Sequence, residues 1–146
     1  MRNLKSFIVA AFALSTFLFL AAPTPAHAQF PAYLHALSDL RTARAYLQMP
    51  VKPEAKGACK HAIKEISRAI DDIATAASDD GKNPEVVPPP QGGGGNANWP
   101  IHSAIKLLKE ARTDIEHGRD LPQNKGLREH SLEHIDKALL ALTPLL

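Results

Sequence analysis

The second half of this chain repeats the first, and that repeat constrains the fold more than any other feature. Shifting residues 61–73 by sixty-nine positions lays His61, Ile63, Ile66, Ala69, Ile70 and Ile73 on His130, Leu132, Ile135, Ala138, Leu139 and Leu142. Shifting residues 33–47 by sixty-eight lays Tyr33, Leu37, Leu40, Ala43, Arg44 and Leu47 on Ile101, Ile105, Leu108, Ala111, Arg112 and Ile115. Each copy reads as two amphipathic helices joined in a hairpin. One hairpin leaves an apolar face open to water, and the second covers it. The expected fold is all-α, an antiparallel up-down-up-down four-helix bundle made of two repeated helical hairpins.

The first 28 residues stand apart from that pattern. Arg2 and Lys5 precede an apolar run from Phe7 to Ala22, and Ala26-His27-Ala28 supplies small residues where a signal peptidase reads them. This is the pattern of an export signal cleaved before Gln29. The run is short for a retained membrane helix, which needs roughly twenty residues. No cysteine follows it to carry a lipid. The mature chain, residues 29–146, is expected to be one periplasmic or secreted domain with no stable membrane anchor after cleavage.

Charge narrows the partners. Lys and Arg number 17 against 15 Asp and Glu, a net charge of +2. Arg2 and Lys5 account for that whole excess, so the mature chain is balanced and carries no basic field for nucleic acid or an anionic membrane surface. Cys59 is the single cysteine, so no disulfide frames the fold. Its place on the apolar side of the second helix reads as a buried thiol.

Helix 1 is expected from about Ala32 to Gln48, where Met49-Pro50 resists the α conformation. Helix 2 opens at Pro53 and runs to about Ala77, with Ile63, Ile66, Ile70 and Ile73 inward and Gly81 closing it in the left-handed region. Helix 3 runs from Pro100 to near His117-Gly118, and helix 4 from near Gln123 to before Thr143-Pro144. Hairpin 1 thus occupies about 32–78 and hairpin 2 about 100–143. Between them, residues 79–99 join Pro88-Pro89-Pro90 to four glycines at 92–95, a stiff stretch followed by a flexible one. This segment reads first as a linker crossing the bundle and second as a binding loop. Trp99, the one tryptophan, is expected to pin its end against the bundle. Arg44 and Arg112 fall on the apolar stripe at equivalent places. Carboxylates such as Glu65 or Glu129 are the expected partners, with an anion site in the bundle mouth as the alternative.

Any chemistry must come from the histidines His35, His61, His102, His117, His130 and His134. His35, His61 and His130 each lie two residues before the first strong apolar position, about 150° round the helix from the buried stripe. They are expected to face water or a neighbouring groove. His130 and His134 differ, being four apart on one helix with Cβ atoms about 5–6 Å from each other, so they can clamp one metal ion. Glu133 and Glu129 are candidates to complete the site, and His61 with Glu65 forms a weaker pair at the same spacing. Two imidazoles on a helix suit Cu²⁺, Ni²⁺ or Zn²⁺, copper most strongly.

Catalysis is not expected. The run His130-Ser131-Leu132-Glu133-His134 differs from the zinc-protease pattern because its glutamate is misplaced for a general base. There is no Cys-x-x-Cys-His haem attachment, no readable Ser/His/Asp or Cys/His arrangement, and no phosphate-binding glycine loop between strand and helix. Asp71-Asp72 and Asp79-Asp80 read as helix-surface and cap residues.

The stretch from Ala104 through Ile105-Lys106-Leu107-Leu108-Lys109-Glu110-Ala111 to Ile115-Glu116-His117-Gly118, followed by Leu127-Arg128-Glu129-His130 and Leu132-Glu133-His134-Ile135-Asp136-Lys137-Ala138-Leu139, resembles the small metal-binding proteins of the bacterial periplasm. The resemblance implies an exported four-helix bundle built from a repeated, histidine-bearing helix that binds divalent transition metals. Carried over position by position, it implies ligands at His117, His130 and His134, with His61 in the first repeat. Histidines are sparser here, Leu107 standing at one such position, and the Pro/Gly loop is foreign to that family. The expected function is weak binding or buffering of Cu, Ni or Zn. The alternative is an envelope protein–protein interaction module, or a structural one, with no cofactor.

Overall fold

The computed structural model describes residues 31–91, 99–118 and 125–146. The expected export signal at 1–28, the four glycines at 92–95 and the expected start of helix 4 at Gln123 lie outside the described residues. Four helices follow in order: α1 (Ala32–Leu47), α2 (Lys56–Asp79), α3 (Pro100–His117) and α4 (Lys125–Leu142). One 3-10 turn, Pro53–Ala55, leads into α2, and another, Thr143–Leu145, follows α4. There is no strand among the described residues.

The ends follow from local chemistry. The backbone N–H of Met49 bonds back to Tyr46, and Pro50 then has no N–H with which to continue α1. At the end of α2, Gly81 takes φ +70°, the left-handed conformation that glycine enters without a Cβ penalty. Gly81 N–H then reaches the Ser78 carbonyl at 3.0 Å and Lys82 N–H the Ala77 carbonyl at 2.9 Å, the paired bonds of a Schellman closure. The stripes read from the repeat form the core. Tyr33, Leu37, Leu40, Ala43 and Leu47 are buried with Ile66, Ile70, Ile73, Ile105, Leu108, Ala111 and Ile115, while Ile63 is only half-buried.

Side-chain contacts orient the helices. Tyr33 at the start of α1 donates its hydroxyl to Asp80, just past the end of α2, at 2.5 Å, and Arg44 reaches Ser67 at 3.3 Å. Thus α1 and α2 run in opposite directions. Ala32 lies against Gly118, where a Cβ would stand 3.5 Å from that of Ala32 and 2.9 Å from the Asp114 carbonyl, so the start of α1 meets the end of α3. Arg112 joins α3 to α4 through Asp136 at 2.8 Å, and Glu65 joins α2 to α4 through His134 at 2.7 Å. At the other end of the bundle, residues 50–52, 99–102 and 144–145 line one cleft.

These contacts make the order up-down-down-up, which corrects the expected up-down-up-down arrangement. A short loop would force α3 to lie antiparallel to α2. The connection here is long enough to return along the bundle, so α3 starts at the same end as α2. The returning segment packs on α1. Arg41 donates to the Pro84 carbonyl and to Glu85, each at 2.9 Å, and Pro88 is buried. With α2, α3 and this segment around it, α1 buries even Ser38 and Asp39.

Three expected contacts are replaced. Arg44 meets the Ser67 hydroxyl rather than Glu65. Arg112 meets Asp136 and Glu116 rather than Glu129. Both arginines prefer acceptors on the adjacent helix at their own level, and these need no burial of a charge. Trp99 is not pinned: it is mostly exposed and packs edge-on against His102, with ring centroids 5.6 Å apart.

Leu108→Ala should lower the unfolding free energy by about 2–5 kcal/mol in denaturant titration, because its side chain is fully enclosed. Leu140→Ala, at an exposed position of α4, should change it by no more than about 0.5 kcal/mol.

Candidate functional site

The seam between α2 and α4 holds a buried carboxylate paired with a histidine. Glu65 sits beside Ile66 on the buried face of α2 and is itself buried. A carboxylate there is costly unless it is paired and hydrogen-bonded. Its Oε2 lies 2.7 Å from Nδ1 of His134, sixty-nine residues away, and its Oε1 lies 3.1 Å from Arg68. Burial pushes the Glu65 carboxyl up, but the His134 hydrogen bond and the Arg68 charge outweigh it and leave it below the usual glutamate value. Glu65 is therefore an anion at neutral pH, and Nδ1–H of His134 is the donor. That fixes the tautomer, leaving a lone pair on Nε2 whenever the ring is neutral.

Around this pair the expected site residues divide. His61 and His130 are exposed, as their helical positions require, and His134 is half-buried. Both His130 and His134 act electrostatically on Asp72 of α2, and His61 acts on Glu65. Burial raises the Asp72 carboxyl, against the pull of those two histidines, and its Oδ2 is buried without a hydrogen-bond partner among the described residues. Asp72 is thus no simple surface residue. Its role escaped the sequence because only the α2–α4 packing brings it to the histidines.

The other expected ligands are engaged elsewhere. Glu133 is exposed and paired with Lys137 at 2.6 Å, which holds its carboxyl below the ordinary value. Glu129 is exposed. His117 bonds through Nδ1 to the Thr113 carbonyl at 2.9 Å. Among the described residues no three of His, Cys, Asp and Glu converge to hold a metal ion. Cys59 is buried, and burial raises its thiol. His35 is half-buried and acts on Asp114 rather than facing open water.

A second polar cluster lies between α1, α3 and the returning segment. The Gln91 backbone N–H donates to Asp39 at 2.7 Å, and its side-chain amide donates to Asp114 at 2.6 Å. Burial, joined by the nearby charges of Glu110 and Asp114, pushes Asp39 up to about 6 despite that backbone bond. Burial likewise raises Asp114. Asp39 Oδ2 and Glu110 Oε2 are buried with no hydrogen-bond partner among the described residues. The sequence spacing singled out neither Asp39 nor Gln91, which only the return of the joining segment brings together.

Because Asp39 titrates higher in the fold than its ordinary 3.8, the folded state holds that proton more tightly. Stability fully present below about pH 4 should fall as pH rises through about 6, by up to about 3 kcal/mol. Asp39→Asn keeps an acceptor for Gln91 and should abolish this slope in denaturant titrations at a series of pH values. Across the other seam, His134→Ala removes a partner of buried Glu65 and should cost about 1–3 kcal/mol at neutral pH by the same assay.

Comparison with protein-family models, curated proteins and solved structures finds no match, so the chemistry of the site rests on its geometry.

Proposed function

We propose that this chain is an exported, non-catalytic bundle of two like hairpins that binds a divalent transition metal ion weakly, for scavenging or buffering. The observation that carries this reading is the 2.7 Å bond from His134 Nδ1 to buried Glu65. A histidine that ligates a metal through one ring nitrogen typically donates its other N–H to a carboxylate, which holds the ring and raises its basicity. Here the buried carboxylate stands already in place. Nε2 of His134 and the ring of His130, one turn earlier, are the two ligands, and water completes the coordination. Such an open site has modest affinity. Asp72 adds negative charge beside it.

In this reading Glu65 orients a ligand from α4 and does not form a separate site with His61. Glu133 and Glu129 serve at most through their charge. The ion is Cu²⁺, Ni²⁺ or Zn²⁺, with Cu²⁺ bound tightest on two imidazoles. Export is supported by the character of residues 1–28: a basic start, an apolar run and small residues before Gln29. The two-hairpin origin is supported by equivalent contacts. Arg44 with Ser67 and Arg112 with Asp136 occupy corresponding places in the two halves.

Calorimetric titration with Cu²⁺, Ni²⁺ and Zn²⁺ tests the proposal. Saturable binding at micromolar affinity, about one ion per chain, is expected, with the melting temperature rising as the ion is added. His130→Ala/His134→Ala should abolish it, and Glu65→Gln should weaken it about 10–100-fold. Binding that survives the double substitution would sink the assignment.

A further inference from the structure

The balanced charge of the chain is not evenly spread over the bundle. Along α2 and the turn before it come Lys52, Glu54, Lys56, Lys60 and Lys64, then Glu65, Arg68, Asp71, Asp72, Asp79 and Asp80. Along α3, Lys106 and Lys109 precede Glu110, Asp114 and Glu116. Since α2 and α3 start at the same end, their lysines gather there and most of their acids toward the other. Along the antiparallel α4 the two signs are interspersed, Arg128 beside Glu129 and Asp136 beside Lys137.

Helix stability does not account for this. A helix favours acids in its first turn and bases in its last, each worth about 0.3–1 kcal/mol. Neither α2 nor α3 has an acid in its first turn, and α2 has no base in its last. Lysines set against the helix dipole, partly offset by Glu54 before α2 and by Glu110 at 3.9 Å from Lys106, point to a use outside the helix.

Among the described residues, the basic end also carries most of the large apolar side chains left in water. Leu146 is 63% exposed, Trp99 61% and Met49 36%. Trp99 and Lys52 line one cleft there, of about 490 Å³, with Glu54 the one acid on its wall. Met49, Lys56 and Lys60 line the neighbouring cleft on the far side of Pro50 and Val51. Apolar tips and an exposed tryptophan on a blunt end, flanked by lysines with long apolar stems, match the layered chemistry of a lipid interface. There apolar groups enter the acyl boundary, tryptophan sits at headgroup level and lysines meet the lipid anions.

We propose that, contrary to the expectation from the balanced total charge, this end of the bundle docks reversibly on an anionic lipid surface through Met49 and Trp99, with Lys52, Lys56 and Lys60 contacting the headgroups. The proposal is independent of metal binding, whose histidines lie on the α2–α4 seam. Three lysines at the surface together contribute about a hundredfold in affinity.

Trp99, the only tryptophan, is a built-in probe. The test uses protein purified from cells expressing the full-length chain, with a chelator present. It is mixed with vesicles of phosphatidylcholine alone or of phosphatidylcholine with phosphatidylglycerol. Trp99 emission should shift to the blue, and the protein should co-sediment, with the anionic vesicles only. Lys52→Glu/Lys56→Glu/Lys60→Glu should weaken this at least a hundredfold, whereas Lys82→Glu, at the acidic end, should leave it unchanged. Equal uptake by both vesicles, or uptake indifferent to the triple substitution, would overturn the proposal. A blue shift with polyglutamate but not with anionic vesicles would also overturn it, assigning this end to an acidic protein partner.

Discussion

Every other feature of this fold depends on burying the apolar stripes of one hairpin against those of the other. The closest packing is not within the hairpins but between them, α1 on α3 and α2 on α4. A hairpin of two helices has too little interior to exclude water from its own stripe, and a second hairpin laid across it encloses both. That demand sets which helices touch, which ends coincide and where polar groups become trapped.

Two polar clusters sit in those seams, and they manage their charge differently. Glu65 stays ionised because His134 and Arg68 supply the donors and positive charge that water would have given. Asp39 has one strong backbone donor, but burial above all, with two further carboxyls beside it, makes it hold its proton to a higher pH than a free aspartate. A buried carboxyl group thus stays ionised in one seam and titrates high in the other, according to the charges and donors around it. The first keeps a histidine ring oriented at the bundle surface. The second fastens the returning segment to the helices beneath it.

The sequence was most legible where periodicity alone decides. Helix identities, their boundaries within a few residues, the inward stripe and the left-handed Gly81 are all local consequences of spacing and backbone sterics. The direction of α3 was not legible, because nothing local says whether a long connection turns over at the bundle end or returns along it. From that one unreadable choice follow the contacts that sequence reasoning missed: Gln91 against Asp39 and Asp114, Ala32 against Gly118, and the gathering of lysines at one end. The site was half legible. The spacing of His130 and His134 marked them as neighbours, and Glu65 was singled out beside His61. Its partnership with His134 depends on which residues of α2 and α4 lie at the same level, and that emerges only from packing.

The returning segment has a consequence for how the molecule assembles. Within each hairpin few residues separate the two helices, so they meet early and at little entropic cost. The contacts between hairpins are far apart along the chain and must wait for the tether to bring the halves together. In effect the fold is an association reaction between two hairpins held at a high local concentration by the chain that joins them. Lengthening the tether dilutes the partners only slowly, about 0.6 kcal/mol for each doubling. The length of the joining segment is therefore a weak lever on stability, and the contacts of Pro84, Glu85, Pro88 and Gln91 with the bundle are the strong one.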